Sequence, residues 1–267
     1  MTTQITHTTH RLHLASNQQV EVTVDDFGSG SPYFLLHGGA GLPSVLSFGQ
    51  RLASEGSAHV YVPTHPGFGG TLRPDWLYSI GMLAEVYVEL IEQLDLRDVT
   101  VIGSSIGGWI AAEMAVIGSE RISQFILMDA VGIVVEGQTI TDIFQLTLDE
   151  LAQRSYYSPA AFRIDPTTMT DAQKAGMAAN RQALAVYGGQ PSMGDPTLLK
   201  RLSRITTPTL VLWGDSDGIV SPDYGRAFAT AIPNARFQLL ANTGHMPQLE
   251  TPDQVLAAVG AFVGEDK

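Results

Sequence analysis

The sequence predicts an α/β domain with a mostly parallel sheet, helices on both faces and one inserted helical segment. Short apolar runs rich in β-branched residues alternate with helical patterns along most of the chain, an order typical of parallel strands joined by right-handed crossovers. Residues 132–204 differ because they contain no buried β-run and only short helical patterns. We therefore expect residues 1–131 and 205–267 to form the core and residues 132–204 to form a helical cap.

The predicted elements follow from residue type and periodicity. Residues 1–10 are polar and rich in threonine, so we expect a frayed start, whereas Val20–Val24 alternates apolar and polar residues like a half-exposed strand. Residues 80–94 have apolar residues at the spacing of an amphipathic helix. The remaining strands are predicted at 33–36, 59–62, 99–102, 125–128, 209–213 and 236–240, and further helices at 42–55, from 106, at 223–231 and at 252–263.

Composition excludes several classes of function. The chain has 267 residues, 44% of them hydrophobic, and a formal net charge of −12, so its field repels phosphate backbones and anionic lipid surfaces. We therefore expect neither nucleic acid nor a membrane as a partner. The absence of cysteine excludes disulfides, thiolate catalysis and cysteine-bound zinc. Residues 1–20 contain no apolar signal segment, so we expect a cytoplasmic location.

A small-molecule substrate is the expected partner, with no cofactor and no metal. The glycine-rich stretch Gly67–Gly70 lacks the G-x-G-x-x-G spacing, and no Gly-Lys-Ser/Thr sequence occurs, which argues against nucleotide binding. His7, His10 and His13 recur at every third position, but no acidic residue lies among them, so a metal site is not expected there. The sequence leaves the oligomeric state open, a homo-oligomer included.

Ser105, at a predicted strand-to-helix junction, is the candidate nucleophile. An uncharged β-branched run ends just before Gly103 and a helical pattern starts at Ile106, so the connecting turn is very short. Such a turn crowds the residues two before and two after its apex, and glycines 103 and 107 stand there around Ser105. Ser104 fits the apex less well because bulky isoleucines occupy the corresponding positions. We expect Ser105 to have a strained φ and an exposed hydroxyl.

His245 and Asp217 are the candidate partners of this serine. A serine hydroxyl is a weak nucleophile, so it needs an imidazole to accept its proton and a carboxylate to orient that imidazole. Of the seven histidines, His245 follows the last predicted strand, in a loop at the carboxyl end of the sheet. Asp217 is the preferred acid because it lies far enough beyond a buried strand to reach a neighbouring loop. Asp129, which ends the preceding strand, and Asp215, which is expected to cap the turn, remain alternatives. A metal site at Asp215 and Asp217 is not expected because no histidine is near them in the sequence.

The glycine-rich loop His37–Gly41 follows the predicted strand Tyr33–Leu36. A loop with so few side chains allows main-chain NH groups to approach a ligand, and a plain βα turn has the same composition. The NH groups of Gly39 and Ile106 are the candidate pair for an oxyanion hole, and His37 is expected to brace the loop.

Four motifs resemble those of the α/β-hydrolase fold family, in its cap-bearing branch. They are the His-Gly-Gly sequence at 37–39, G-x-S-x-G around Ser105, Gly-Asp-Ser-Asp at 214–217 and the pair Gly244–His245. Their order, nucleophile then acid then histidine, is the order of the family. The resemblance spans nearly the whole chain and implies an α/β-hydrolase fold. Family members with Asp at the elbow resemble epoxide hydrolases and haloalkane dehalogenases, so Ser105 argues against both. The remaining relatives include carboxylesterases, lactonases, carbon–carbon bond hydrolases, cofactorless haloperoxidases and cofactor-free oxygenases.

We therefore expect a serine hydrolase that cleaves a small carboxylic ester or lactone through an acyl-enzyme on Ser105. The alternative within enzymes is a carbon–carbon bond hydrolase of a vinylogous diketone from aromatic ring cleavage, because the His-Gly loop and the elbow resemble those enzymes. Met246 argues against it, because such enzymes commonly have Trp after the histidine. The alternative from another class is a non-catalytic small-molecule receptor, against which the intact Ser, His and acid set argues.

Three further residues have two interpretations each. Trp109 lies four residues after Ser105, so it either packs under the sheet edge, which we prefer, or touches the pocket. Asn180 and Arg181 either bind a substrate carboxylate or are solvated. None of the three is assigned to the site.

Overall fold

The computed structural model describes residues 4–189 and 193–264, so the predicted core and cap segments each include residues outside the described ranges. The strands are β1 Thr6–His13, β2 Gln19–Gly28, β3 Ser31–Leu36, β4 Ala58–Thr64, β5 Val99–Ser104, β6 Ile122–Met128, β7 Gly132–Ile133, β8 Gly194–Asp195, β9 Thr209–Gly214 and β10 Arg236–Leu240. The helices are α1 Pro43–Gly56, α2 Ile80–Gln93, α3 Ile106–Ile117, α4 Leu148–Ser155, α5 Asp171–Gly188, α6 Leu198–Arg201, α7 Pro222–Ala231, α8 Pro247–Glu250 and α9 Pro252–Gly264.

An eight-stranded sheet has the order β1-β2-β4-β3-β5-β6-β9-β10. The pairs β1–β2 and β2–β4 are antiparallel, and every other neighbouring pair is parallel. The prediction of a mostly parallel sheet is therefore confirmed. Because parallel strands end at the same edge, the loops after β3, β4, β5, β6, β9 and β10 lie together.

Apolar residues cover both faces of this sheet. Along β3, Phe34 and Leu36 belong to a buried cluster with residues of α2, α3 and α7, whereas Tyr33 and Leu35 belong to a second cluster with residues of α1 and α9. Side chains of a strand point alternately to opposite faces, so a strand buried on both sides must be apolar throughout. This is why short uninterrupted apolar runs were readable as strands. No helix formed by the described residues is both long and apolar enough to span a bilayer.

Two predictions about local structure were wrong. Thr6–His10 belong to β1 rather than to a frayed start, because β1 pairs with β2 along its whole length, from Thr6 opposite Asp26 to His13 opposite Gln19. Within residues 132–204, α5 is 18 residues long rather than short. Its start has a capping box in which Thr170 and Gln173 each bond the backbone NH of the other, and this signal was available in the sequence.

The described part of residues 132–204 adds no strand to the large sheet and pairs β7 with β8 on its own. We call residues 132–204 the insert. Helix α5 joins the insert to two core loops: the Asn180 side chain accepts a hydrogen bond from the Gly69 NH at 2.7 Å and donates one to the Ala40 carbonyl at 3.0 Å. The Tyr187 hydroxyl donates to the Pro66 carbonyl at 3.0 Å. The insert is therefore bonded directly to the loops after β3 and β4.

Candidate active site

Ser105 forms the apex of the turn between β5 and α3. Its backbone has φ of +55° and ψ of −115°, a conformation that costs a residue with a side chain about 1–3 kcal/mol. The surrounding structure holds this conformation: the Ser105 NH donates to the Met128 carbonyl at 2.9 Å, and its carbonyl accepts from the Trp109 NH at 3.1 Å. The predicted strain at this residue is observed.

The two glycines of the motif contact each other across the turn. A Cβ on Gly103 would lie 2.1 Å from the Gly107 carbonyl oxygen, and one on Gly107 would lie 2.3 Å from the Leu36 carbonyl oxygen. Ser104 is the last residue of β5, fully buried, with its hydroxyl 3.5 Å from Gln248 Oε1. The crowding that requires glycine therefore centres on Ser105, as the sequence predicted.

The structure brings Ser105, His245 and Asp217 into one chain of hydrogen bonds. His245 Nδ1 lies 2.8 Å from Asp217 Oδ2, and His245 Nε2 lies 3.0 Å from Ser105 Oγ. A carboxylate can only accept, so Nδ1 carries the proton and Nε2 is left to accept from the serine hydroxyl. All three residues are buried; Ser105 is 7% exposed, so the expectation of an exposed hydroxyl was wrong. The arrangement can deprotonate Ser105 as its hydroxyl attacks a substrate.

The carboxylate of Asp217 has two further donors. Its Oδ1 accepts from the NH groups of Ile219 at 2.8 Å and Val220 at 3.1 Å. Donors that bond a carboxylate favour its charged form, so these two bonds stabilise a negative charge on Asp217. The turn after β9 thus orients the acid and stabilises its charge with the same two bonds.

The two alternative acids have different positions. The Asp215 carboxylate accepts from the NH groups of Asn242 at 3.1 Å and Thr243 at 3.3 Å, so it fixes the loop that leads to His245. Asp129 is fully buried, and its Oδ1 accepts from the Gly214 NH at 2.9 Å. Burial, and then the neighbouring charge of Asp217, raise the pKa of Asp129 well above its ordinary value.

Asp129, Asp217 and His245 form the one group of potential metal ligands found among the described residues, with polar atoms within 4.8 Å of one another. His245 therefore lies beside Asp217 in space, as expected for the partners of Ser105, although no histidine is near that aspartate in the sequence. His245 already uses both ring nitrogens, and Asp217 uses both carboxylate oxygens, within the hydrogen-bonded chain. This donor set fits a proton-transfer site better than a metal centre.

The loop after β3 lies against the turn that presents Ser105. A Cβ on Gly38 would lie 3.2 Å from Ser105 Cβ, so the two segments are in contact. In the described part of the chain, the backbone NH of Gly39 has no hydrogen-bond partner, and neither has that of Ile106 at the start of α3. These two groups are available to an oxyanion, the role the sequence predicted for them.

A buried cluster of His37, His65 and Tyr87 supports this loop. The two imidazole rings lie with their centroids 3.7 Å apart and their planes tilted by 32°. The backbone NH of His65 donates to His37 Nε2 at 3.2 Å, and His65 Nε2 donates to the His37 carbonyl at 2.9 Å. Tyr87 bonds His65 Nδ1 at 2.5 Å. Burial lowers the pKa of His37 to about 4, and burial together with the neighbouring His37 lowers the pKa of His65 well below its ordinary value. Both rings are neutral and brace the loop.

His37 was expected in this role, and His65 was missed. Each follows the last residue of a strand, β3 or β4, and these strands are parallel neighbours. Two histidines at equivalent ends of adjacent strands were a usable signal, but only once the strand order was known.

The insert also contacts the loop of His245, which the sequence did not indicate. The His245 NH donates to the Ser155 carbonyl at 2.7 Å, and the Gly218 NH donates to the Arg154 carbonyl at 2.9 Å. The end of α4 therefore holds the His245 loop and the Asp217 loop together.

The residues with two interpretations are placed as follows. Trp109 is buried, and a Cβ on Gly132 would lie 2.3 Å from its ring, so it packs. Arg181 bonds the Phe144 carbonyl and places its guanidinium 5.2 Å from the centre of the Phe144 ring. Both polar atoms of the Asn180 amide form hydrogen bonds with the two core loops.

The chain is similar to known proteins over most of its length. It is 25% identical over 264 residues to a 2-hydroxymuconate semialdehyde hydrolase of Pseudomonas putida, which covers 90% of this chain and 89% of that protein. A bromoperoxidase from Bacillus anthracis matches the fold with a TM-score of 0.75 and 21% identity, over 97% of this chain and 100% of that one. A thermophilic esterase from Thermogutta terrifontis matches the fold with a TM-score of 0.72 and 22% identity, over 97% of this chain and 98% of that one.

At such identities the structural matches show the fold alone. The sequence model of the alpha/beta hydrolase family matches residues 33–259, from β3 into α9, and so includes every residue of the hydrogen-bonded chain described above. The expected resemblance is confirmed, and the chain belongs to the alpha/beta hydrolase family.

Proposed function

We propose that the protein is a serine hydrolase that cleaves a small carboxylic ester or lactone. The observation that supports this most directly is the hydrogen-bonded chain: Ser105 Oγ lies 3.0 Å from His245 Nε2, and His245 Nδ1 lies 2.8 Å from Asp217. A base within hydrogen-bond reach of the nucleophile, itself oriented by a buried carboxylate, is what acyl transfer to serine needs.

In the first half of the proposed reaction, Ser105 Oγ attacks the carbonyl carbon as its proton moves to His245 Nε2. The carbonyl oxygen becomes an oxyanion, for which the NH groups of Gly39 and Ile106 are the proposed donors. When the tetrahedral intermediate collapses, the carbon–oxygen bond to the leaving group breaks and His245 returns its proton to the departing alkoxide. Asp217 stays ionised and stabilises the imidazolium that forms in between.

The second half repeats these roles with water as the nucleophile. His245 accepts a proton from water, the hydroxide oxygen attacks the acyl carbon, and the proton then returns to Ser105 Oγ as the carboxylic acid leaves. No cofactor or metal takes part in these steps, and the substrate is a small molecule. A cytoplasmic location stays a prediction, which cell fractionation tests.

A carbon–carbon bond hydrolase is the second candidate, because the 25% identical relative is named a hydrolase of 2-hydroxymuconate semialdehyde. Two observations favour the ester instead. Met246, rather than tryptophan, follows His245 and is buried beside it. The cation that the sequence offered for a substrate carboxylate, Arg181, is bonded to Phe144.

The test is covalent labelling combined with substrate comparison. A fluorophosphonate should modify Ser105, identified by mass spectrometry of the labelled peptide, and should abolish hydrolysis of p-nitrophenyl butyrate. The ester should give a burst of nitrophenol before slower deacylation, hydroxylamine should intercept the acyl group, and EDTA should have no effect. Rapid cleavage of a ring-fission dienol by a protein that barely turns over esters or lactones would support the second candidate, and a protein that turns over neither and resists the label would be a receptor.

A further inference from the structure

Asp129 is a buried carboxyl group that the proposed reaction does not use. It follows β6, is fully buried and has a φ of +45°. Its Oδ1 accepts one hydrogen bond, from the Gly214 NH at 2.9 Å. Its Oδ2 is also buried and accepts no hydrogen bond within the described ranges. A buried, ionised carboxylate with an unpaired oxygen is costly, so its protonation state needs an explanation.

The titratable groups found beside Asp129 among the described residues are Asp217 and His245. One carboxylate oxygen of each aspartate and one nitrogen of His245 lie within 4.8 Å of one another. Two carboxylates this close in a buried site do not both ionise, because each raises the free energy of the other's charged form. One of the two therefore holds a proton.

The hydrogen bonds decide which one. Asp217 has three donors, the Nδ1 of His245 and the NH groups of Ile219 and Val220, and each favours the ionised form. Asp129 has one donor, the NH of Gly214. The negative charge is therefore more stable on Asp217, and the proton is more stable on Asp129.

We propose that Asp129 is a neutral carboxylic acid whose hydroxyl donates a hydrogen bond to Asp217, and that it is a positioning residue for the pair Asp217–His245. The orphaned Oδ2 then becomes a donor with a partner, and Gly214 remains bonded to Oδ1. The fourth donor fixes the Asp217 carboxylate between the β6 and β9 loops, in the orientation that bonds His245.

A neutral Asp129 also keeps His245 usable as a base. A second negative charge beside the imidazole would favour its protonated form, and a protonated His245 cannot accept the proton of Ser105. With Asp129 neutral, the site holds a single negative charge opposite the imidazolium that forms during turnover. The effect on turnover rests on the proposed function, whereas the position of the proton does not.

Infrared spectroscopy tests the protonation without any substrate. The difference spectrum of wild type minus Asp129→Asn at neutral pH should contain the carbonyl stretch of a protonated carboxylic acid, shifted in D₂O. The same band should be present in Ser105→Ala, which lacks the nucleophile but keeps both carboxyl groups. Equal bands in wild type and Asp129→Asn would overturn the proposal. Because this readout ignores turnover, failure of the proposed hydrolase activity and failure of the proton assignment are distinguishable.

Kinetics test the positioning role with two variants that both tolerate a positive φ. Asparagine is neutral, can donate to Asp217 and can accept from Gly214, so Asp129→Asn should keep ester kcat within about threefold of wild type. Glycine removes the donor without backbone strain, so Asp129→Gly should lose about tenfold to a hundredfold in kcat, with a smaller change in KM. If Asp129→Gly does not fold, the infrared spectra still test whether Asp129 is protonated, and the kcat of Asp129→Asn still tests whether its charge is required. Loss of activity in Asp129→Asn as large as in Asp217→Asn would overturn the proposal, because it would mean that the charge of Asp129 is required.

Discussion

Glu250, the last residue of α8, accepts a hydrogen bond from the backbone NH of Gly244 at 2.7 Å, immediately before His245 in the chain. The same carboxylate accepts from the NH groups of Tyr157 at 3.1 Å and Ser158 at 2.7 Å, at the end of α4 in the insert. One side chain therefore joins the His245 loop to the insert through three backbone NH groups.

Replacing Glu250 should impair turnover more than folding. Glu250→Ala leaves the Gly244 NH and the insert NH groups to water, so His245 loses part of its positioning, and kcat for the ester should fall about tenfold, as expected for a charge-assisted bond. Glu250→Gln keeps one acceptor oxygen, so its kcat should lie between those of wild type and Glu250→Ala. Glu85, an exposed acid on α2, serves as the matched control, and Glu85→Ala should keep the wild-type kcat. If Glu250→Ala has the same kcat as wild type, the loop positions His245 without this bond.

The two neighbouring serines should behave differently. Ser105→Ala should abolish ester turnover, with a loss on the order of 10³-fold or more, while leaving the fold intact because the hydroxyl adds little packing. Ser104→Ala removes a hydroxyl that lies at the long distance of 3.5 Å from Gln248, its one partner in the described ranges, and the variant should retain most activity. Steady-state kinetics with circular dichroism as the folding control would separate them. The reverse order of effects would exclude Ser105 as the nucleophile.

Substitutions of the three aspartates near His245 should lower kcat to different extents. Asp217→Asn should lower kcat by about 10⁴-fold, because an amide at that position favours the wrong imidazole tautomer. Asp215→Asn should cost far less, because the bonds of its carboxylate to described residues are those to the Asn242–Thr243 backbone and to the side chain of the adjacent Ser216. The kcat values at neutral pH give the comparison directly. A collapse in Asp129→Asn together with full activity in Asp217→Asn would transfer the role of the acid to β6.

Some of this site was predictable because backbone geometry dictates residue type. The turn brings the backbones of residues 103 and 107 into contact, so a side chain at position 103 would clash and glycine is needed there. The glycine spacing therefore identifies Ser105, between them, without any knowledge of the rest of the fold. Asp217 could only be ranked above Asp129, because both follow strands that end at the same edge of the sheet. Choosing between them needed the turn after β9, whose NH groups bond Asp217.

The rest depended on contacts between distant segments. His65 braces His37 because β3 and β4 are neighbours, and strand order is not written in either segment alone. The polar run at Thr6–His10 was misread because an edge strand can be polar on both sides and still bond its neighbour. The long α5 is polar over its first turns, so periodicity did not identify it, although its capping box did mark the start.

Because His37 is buried and neutral, we expect the protein to lose stability in acid. Its pKa is about 4 in the folded protein, against an ordinary 6.5 when unfolded, so the unfolded chain binds the extra proton first. The contribution of His37 to the free energy of unfolding should therefore be level well above pH 6.5 and fall by about 3 kcal/mol as the pH drops toward 4. Urea unfolding at a series of pH values measures this. His37→Gln should have a shallower slope, whereas the control His13→Gln, at the exposed end of β1, should keep the wild-type slope.

The last prediction concerns Asn180, which bonds the insert to both loops beside Ser105. Its Nδ2 donates to the Ala40 carbonyl at 3.0 Å and its Oδ1 accepts from the Gly69 NH at 2.7 Å. Asn180→Asp keeps the second bond but turns the first into contact between two acceptors, which should displace the loop that contains Gly39 and weaken oxyanion binding. We expect kcat to fall about tenfold, which is less than the loss of a whole oxyanion donor. The neighbouring Arg181 contacts Phe144 instead, so Arg181→Gln is the matched control and should retain wild-type kcat. Affinity for a phosphonate transition-state mimic should fall with kcat in Asn180→Asp, since both depend on the same NH group. A variant that loses kcat yet binds and reacts with the phosphonate as fast as wild type would place the defect elsewhere in the insert.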